Sequence, residues 1–317
     1  MKAALVLEAG ATPVLAEFRR PVVQPGEVLV QVAAAALSQV TRSRASGAHY
    51  SASAQVPFVP GIDGVGRLED GRRVYFVQPR HPFGAMAEAS VVDASRCVFV
   101  PDRLDDVCAA AMANPGMSAW AALSERAGFA RGESVLINGA TGTAGKLAVQ
   151  IARHLGAGRI VATGRNTQAL EAVKEMGADV TIALGADDNE LGERLHAEFR
   201  QGIDVVLDYL WGRSAELLLT AAAKGLKESA QMRFVQVGSA SAPTIQLPSA
   251  ALRAAAIQLV GSGIGSVSVE GLIASIAKLF DAAAAERIRL SAEAVPLAEV
   301  AQRWDTADSA NRLVFTI

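Results

Sequence analysis

Hydrophobic and polar positions change their rhythm twice along the chain. Up to about residue 112 the apolar residues fall in short runs cut by Pro and Gly, such as KAALVL, GEVLVQVAAAAL, GRRVYFV and ASVVDASRCVFV. Alternating or β-rich runs bounded by such breakers predict strands, so this stretch reads as an irregular β-rich lobe. From Glu133 onward strand-like and helix-like segments alternate. SVLING precedes a helix over 143–155, RIVATG a helix over 167–176, DVTIA a polar helix near 187–200, and IDVVLDYL a helix near 214–224. RFVQVGS follows, and LVGSGI would close the set as a sixth strand. That alternation predicts a parallel sheet covered by helices. After about residue 265 come an alanine-rich helix (269–286), a β-like SAEAVPL, a short helix over 298–307 and a terminal strand RLVFTI, a tail assigned to the first lobe. The expected fold is α/β: a doubly wound parallel sheet at 113–265, inserted into a β-rich domain formed by 1–112 and 266–317.

Composition narrows the function more than the fold. The chain has 317 residues, about twice the usual single-domain length of roughly 150. Hydrophobic residues make up 51% and charged residues 20%, which is ordinary globular usage. Thirty basic against 32 acidic residues give a net charge of −2 without a lysine-rich run. No electrostatic footprint for nucleic acid or anionic lipid is present, so a small-molecule substrate is expected. Glu8 interrupts the amino terminus before a signal-length apolar stretch forms, and no run approaches the roughly 20 apolar residues of a membrane span. A cytoplasmic location is the expectation. Cys97 and Cys108, the two cysteines, are too few for a disulfide framework or a four-cysteine zinc site.

The strongest local signal is ESVLINGATGTAGKLAVQIARHLGAG, in which an apolar strand runs through Gly139, Gly142 and Gly145 into an amphipathic helix. Gly142 lets backbone approach a pyrophosphate, Gly145 allows close packing of helix on strand, and Thr143 and Ala144 present amides at the positive end of the helix. The spacing is G-x-x-G-x-x-G, not the G-x-G-x-x-G of the standard dinucleotide fingerprint. An acid closing the second strand would bind a ribose 2′-hydroxyl and repel a 2′-phosphate. RIVATG ends instead in Gly164-Arg165-Asn166, which places a guanidinium twenty residues past Gly145 and favours NADPH as cofactor. Gly238, Ser239 and Gly263, at the ends of the later strand runs, complete the candidate cofactor set.

The mid-chain glycine loop, PFVPGIDGVGRLEDGRRVYF upstream of it, NPGMSAWAAL just before it and the closing PLAEVAQRWDTADSANRLVFTI together resemble the medium-chain dehydrogenase/reductase superfamily, closest to its zinc-free quinone oxidoreductases. The resemblance covers nearly the whole chain. It implies a chaperonin-10-like (GroES-like) catalytic domain, an inserted Rossmann domain for NADPH, and hydride transfer to a quinone, enone or enal. Zinc alcohol dehydrogenases of the superfamily carry a Gly-His-Glu turn and an upstream cysteine as ligands. Here the turn is Gly61-Ile62-Asp63-Gly64 and the upstream LSQVTRSRASGAHY has no cysteine, so no metal is expected. Zinc-free relatives usually show an Asn and an Asp where Ser38 and Thr41 stand. Ser118 is a candidate contact to the nicotinamide end, or alternatively the cap of a following helix. His49 and Tyr50 are the candidate proton donors, though the donor tyrosine of related enoyl reductases would fall at His49; solvent is the alternative source. Asp63 reads as a buried carboxylate serving hydrogen bonds.

Three other readings stand beside this one. A short-chain reductase would need a Tyr-x-x-x-Lys pair after its nucleotide loop, and Tyr209 is followed by Arg213. An enoyl-thioester reductase and a non-catalytic NADPH-responsive binding protein keep the same fold. The apolar AAAIQLVGSGIG, as the last strand of the sheet, would leave an edge able to pair with its twin in a homodimer.

Overall fold

The computed structural model describes residues 1–48, 55–185, 187–306 and 312–317. His49 and Tyr50 lie outside the described residues. Two compact units emerge, Met1–Asn114 with Ile276–Ile317, and Pro115–Ser275.

The first unit begins with β1 (Lys2–Leu5), β2 (Val14–Glu17) and the ten-residue β3 (Glu27–Ala36). Helix α1 (Gln39–Ala45) leads on to β4 (Asp63–Arg67), β5 (Arg73–Val77), β6 (Ala89–Asp93) and β7 (Cys97–Phe99). Helix α2 (Asp106–Ala121) carries the chain into the second unit. There β8 (Ser134–Asn138), α3 (Thr143–Leu155), β9 (Arg159–Gly164) and α4 (Thr167–Glu175) come first. They are followed by β10 (Val180–Ala183), α5 (Asp188–Gln201), β11 (Val205–Asp208) and α6 (Gly212–Gly225). The unit ends with β12 (Gln231–Gln236), α7 (Ala251–Ala254) and β13 (Ala256–Gly261). Helix α8 (Val269–Ala284) returns the chain to the first unit, which closes with β14 (Ala292–Pro296), α9 (Val300–Arg303) and β15 (Arg312–Thr316).

In the first unit β3 is the hub. It pairs antiparallel with β15, β4 and β6 in a seven-stranded sheet, and a register shift between Val32 and Ala34 bends it. Val30, Phe76, Met86, Leu313 and Phe315 are buried in the core beneath it. The second unit is a six-stranded parallel sheet in the order β10-β9-β8-β11-β12-β13. Its strands β8, β9 and β11 are largely apolar and buried on both faces, and Leu136, Val161, Val206 and Phe234 pack against Leu195, Phe199 and Leu218 of α5 and α6. Helix α3 buries Leu147, Ala148, Ile151 and Ala152 on one stripe and stops at Gly156, whose φ of 94° supplies the left-handed cap.

Two local expectations change. The last strand of the parallel sheet runs Ala256–Gly261 and not through Ile264, because Gly263 and Ser266 close a turn: the Gly263 amide donates to Ser266 Oγ at 2.8 Å and the Ser266 amide returns to the Gly263 carbonyl at 3.0 Å. Ser118 does not cap a helix. It sits inside α2, past Pro115, and its hydroxyl donates to the Pro115 carbonyl at 2.7 Å, the acceptor whose usual partner four residues on is Ala119.

Candidate active site

The parallel register aligns the carboxyl ends of the strands: Asn138 is level with Thr163 and with Asp208, Asp208 with Gln236, and Gln236 with Gly261. The loops that follow β8, β9, β11, β12 and β13 therefore open on one edge of the sheet. The direction of winding reverses between β8 and β11, and ligands of doubly wound sheets bind in the crevice at that reversal.

The glycine loop sits there. Gly139, at φ 92°, turns the chain off β8, and the Gly139 and Ala140 amides donate to the Thr163 carbonyl at 3.2 and 2.8 Å. A Cβ at Gly145 would stand 2.3 Å from the Gly139 carbonyl oxygen and 2.5 Å from the Ala140 Cα, so only glycine lets α3 start this close to the strand exit. Gly142 is different. A Cβ there would meet nothing within 4 Å, and as the N-cap of α3 it offers no side-chain acceptor. No side chain caps the first amides of α3, and Thr143 and Ala144, at the positive end of the helix dipole, are only half-buried. An uncapped helix start beneath a side-chain-free approach fits a dinucleotide's diphosphate.

Gly164 closes β9 against Thr141, whose Cγ2 a Cβ would approach to 2.5 Å. Arg165 follows, exposed and without a hydrogen-bond or ion-pair partner among the described residues. Asn166 has a job of its own: its Oδ1 accepts the Ala169 amide at 3.0 Å and caps α4, which leaves its Nδ2 for any ligand beside Arg165. Gly238 donates its amide to the Asp208 carbonyl at 3.0 Å, and a Cβ on it would come 2.9 Å from the Tyr209 carbonyl oxygen. Ser239 and Gly263 are exposed at the ends of the neighbouring loops.

Sequence reasoning missed a buried polar chain under this edge. Thr163 Oγ1 donates to Asn138 Oδ1 at 2.7 Å, Asn138 Nδ2 donates to Asp208 Oδ1 at 2.7 Å, and that oxygen also accepts the Leu210 and Trp211 amides at 3.0 and 3.1 Å. All three side chains are fully buried, and burial pushes the Asp208 carboxyl up despite those bonds. The chain ties β9, β8 and β11 together across the reversal. It also holds Trp211 at φ 59°, a conformation uncommon for a side-chain-bearing residue. The available signal was a lone polar residue ending each of two apolar runs, VLIN and VVLD. Beside it, the Tyr209 hydroxyl is buried and approaches Ser118 without closing a hydrogen bond of ordinary geometry.

In the first unit the turn that carries ligands in zinc dehydrogenases holds Ile62 and Asp63, both buried. Asp63 Oδ2 accepts the Tyr75 hydroxyl at 2.7 Å. Burial raises its carboxyl to about 6 against the pull of that bond and of the Arg312 guanidinium. Ser38 and Thr41 are engaged with each other: Ser38 Oγ accepts the Thr41 amide at 2.9 Å and lies 2.9 Å from Thr41 Oγ1. Among the described residues no group of three His, Cys, Asp or Glu side chains is placed to hold a metal ion. Burial pushes the half-buried Cys97 and Cys108 thiols up to about 11, so neither is a nucleophile near neutral pH. Also among the described residues, no helix is long and apolar enough to cross a membrane.

Residues 144–281 match the family model for zinc-binding dehydrogenases. Over 98% of its length the chain is 30% identical to a probable NADPH-dependent quinone reductase of Emericella nidulans, and the alignment covers 98% of that protein too. The chain belongs to the medium-chain dehydrogenase/reductase superfamily. Within that superfamily it is similar to the quinone oxidoreductase of Thermus thermophilus, whose structures include a complex with NADPH; the two superpose with a TM-score of 0.83 over the whole of both chains at 28% identity. A 2-methylene-furan-3-one reductase of Solanum lycopersicum is 32% identical over 179 residues, 51% of this chain and 46% of that one. As a medium-chain reductase the chain combines a Rossmann-type parallel sheet, with the reversal at its centre, and a GroES-like β-rich unit.

Proposed function

We propose that this protein is an NADPH-dependent reductase of quinones and conjugated carbonyls, with the loop 139–145 and the segment 164–166 as its cofactor site. The observation that carries it is the pairing of an open, uncapped glycine loop with an Arg165 that has no partner among the described residues, where an NAD-selective site would have an acid. The amides of Thr143, Ala144 and Gly145 hold the diphosphate, and Gly142 keeps its approach clear. Arg165 and Asn166 Nδ2 hold the 2′-phosphate, while Gly238, Ser239 and Gly263 line the later strand ends. Ser118 stands toward the nicotinamide. When bound, NADPH supplies the hydride. The protein's part is then to orient the acceptor and to stabilise the charge that develops on its carbonyl oxygen. His49 and Tyr50 are the side chains proposed to stand near that oxygen, with solvent able to complete the protonation. The test is NADPH oxidation measured across quinones, enones and enals: turnover with at least one class supports the reading, and none with any class overturns it in favour of a non-catalytic NADPH binder.

We further propose a homodimer through β13. Among the described residues this strand pairs only with β12, so one side of its ladder is open, and Leu259 is 40% exposed, Leu252 45% and Ile264 41%. Open edges with apolar flanks invite pairing with a second copy. Sedimentation at micromolar concentration should show a dimer that Leu259→Lys shifts toward monomer; an unmodified chain that sediments as monomer contradicts it.

A further inference from the structure

A cavity of about 40 Å³ opens in the β-rich unit, lined by Thr41, Arg44, Phe58, Ile62, His81 and Phe83 among others. Its walls are α1, with Arg44 in the last turn, and the turn at Gly61 and Ile62, the two segments in which zinc-dependent relatives hold their metal. The volume suits about three ordered waters or the three heavy atoms of one carboxylate, and is too small for a ring.

Its charge balance is incomplete. Arg44 is half-buried, and burial lowers its pKa, yet it has neither acid nor hydrogen-bond partner among the described residues. The His81 ring is tilted against that of Phe58 with centroids 5.7 Å apart, and its Nε2 is buried without a partner among the described residues. Burial and the Arg44 charge both push the His81 pKa down, which places the two groups within electrostatic reach of each other. Two acids of the same unit are engaged elsewhere: Asp63 Oδ2 accepts from Tyr75, and Glu27 is paired to Arg80 at 2.5 Å. Outside the described residues of this unit, the stretch 49–54 has no acid in its sequence and the stretch 307–311 has one, Asp308. Thr41 adds a third potential donor, since a Ser38 hydroxyl donating to Thr41 Oγ1 leaves the threonine proton free. Helix-dipole stabilisation would be served as well by an exposed arginine; a half-buried one lining the same cavity as an unpaired imidazole nitrogen lacks a counter-ion among the described residues.

We propose that this cavity is a carboxylate subsite, in which Arg44 and His81 hold the carboxylate of an acidic enone or quinone whose carbon skeleton stays outside the cavity. The proposal rests on the reductase reading for the identity of the substrate, but its binding half is independent of turnover. Arginine binds carboxylates by paired, charge-assisted hydrogen bonds, each enough for about a tenfold effect or more on affinity.

The experiment compares β-acetylacrylic acid with its methyl ester. With NADPH, the unmodified protein should show a kcat/KM at least about tenfold higher for the acid, and Arg44→Met should remove that advantage. Arg44→Lys should retain part of it and serves if the Met variant does not fold. In parallel, calorimetric titration of the cofactor-free protein with the acid should give binding that Arg44→Met weakens about tenfold or more. Acid and ester reduced equally well, with no calorimetric binding, overturn the subsite and leave the reductase standing. Binding of the acid through Arg44 with no reduction of either compound upholds the subsite and removes the reductase. Acetate that alters ester turnover in an Arg44-dependent way assigns the cavity to a free carboxylate effector and overturns the substrate assignment.

Discussion

Gly145→Ala should destabilise the parallel-sheet unit and abolish tight NADPH binding, whereas Gly142→Ala should spare the fold and weaken NADPH alone. The two glycines are three residues apart in one loop, and geometry separates them. A Cβ at Gly145 would lie 2.3 Å from the Gly139 carbonyl oxygen and 2.5 Å from the Ala140 Cα, both backbone atoms fixed by the loop's bonds to Thr163. Relief requires moving α3 off the sheet. Overpacking of this kind costs roughly 3 kcal/mol, which lowers the melting temperature of a unit this size by roughly 6–12 °C. A Cβ at Gly142 meets nothing within 4 Å, and its φ of −79° suits any residue. The stability cost is about 1 kcal/mol or less, for replacing a tolerated N-cap by a poor one. The methyl group instead occupies the space through which the diphosphate reaches the α3 amides, so the NADPH dissociation constant should rise about tenfold or more. Thermal melts with fluorescence titration of NADPH check both. If Gly142→Ala binds NADPH like the unmodified protein, the diphosphate does not lie over that residue.

Removing the Arg165 guanidinium should cost about ten- to a hundredfold in NADPH affinity and leave NADH nearly unchanged. The two cofactors differ by one 2′-phosphate, and Arg165 is an exposed side chain without a protein partner, among the described residues, to compete for it. For the same reason Arg165→Ala should not alter the melting temperature, and it should reduce the salt sensitivity of NADPH binding, since an exposed ion pair is screened. Asn166→Asp sharpens the test. Aspartate caps α4 as well as asparagine does, so helix and fold survive, but it sets a negative charge beside the 2′-phosphate and a good acceptor beside a 2′-hydroxyl. Preference should move toward NADH. Equal weakening of both cofactors by Arg165→Ala would reduce the residue to a solvated loop position and end the NADPH assignment to this segment.

Features encoded over a few residues were legible. Helix α3 and the glycine turn ahead of it stand out because periodicity and glycine spacing are local, and the strand-turn-helix order they form is specific. Helix α2 was not legible: Ala109, Ala110, Ala111, Met112, Ala113, Pro115 and Ala119 are buried around its whole circumference, so it has no polar stripe, and Pro115 reads as a break. The Thr163–Asn138–Asp208 chain was equally invisible, because its members are separated by 25 and 70 positions and only strand register brings them together. The same is true of the cavity at Arg44 and His81, whose lining residues come from three separate stretches of chain. Ser118 illustrates the reverse error: a local capping signal was overruled by a helix that had already begun twelve residues earlier, at Asp106.

Hydride transfer itself can be followed directly. NADPH carrying deuterium at both positions of nicotinamide C4 is incubated with the protein and an uncharged enone, and the reduced product is analysed by mass spectrometry. The account predicts a saturated ketone with one deuterium on the carbon β to the carbonyl, formed faster from NADPH than from NADH. A product without deuterium, or cofactor that binds and is never consumed with any quinone, enone or enal, would contradict it.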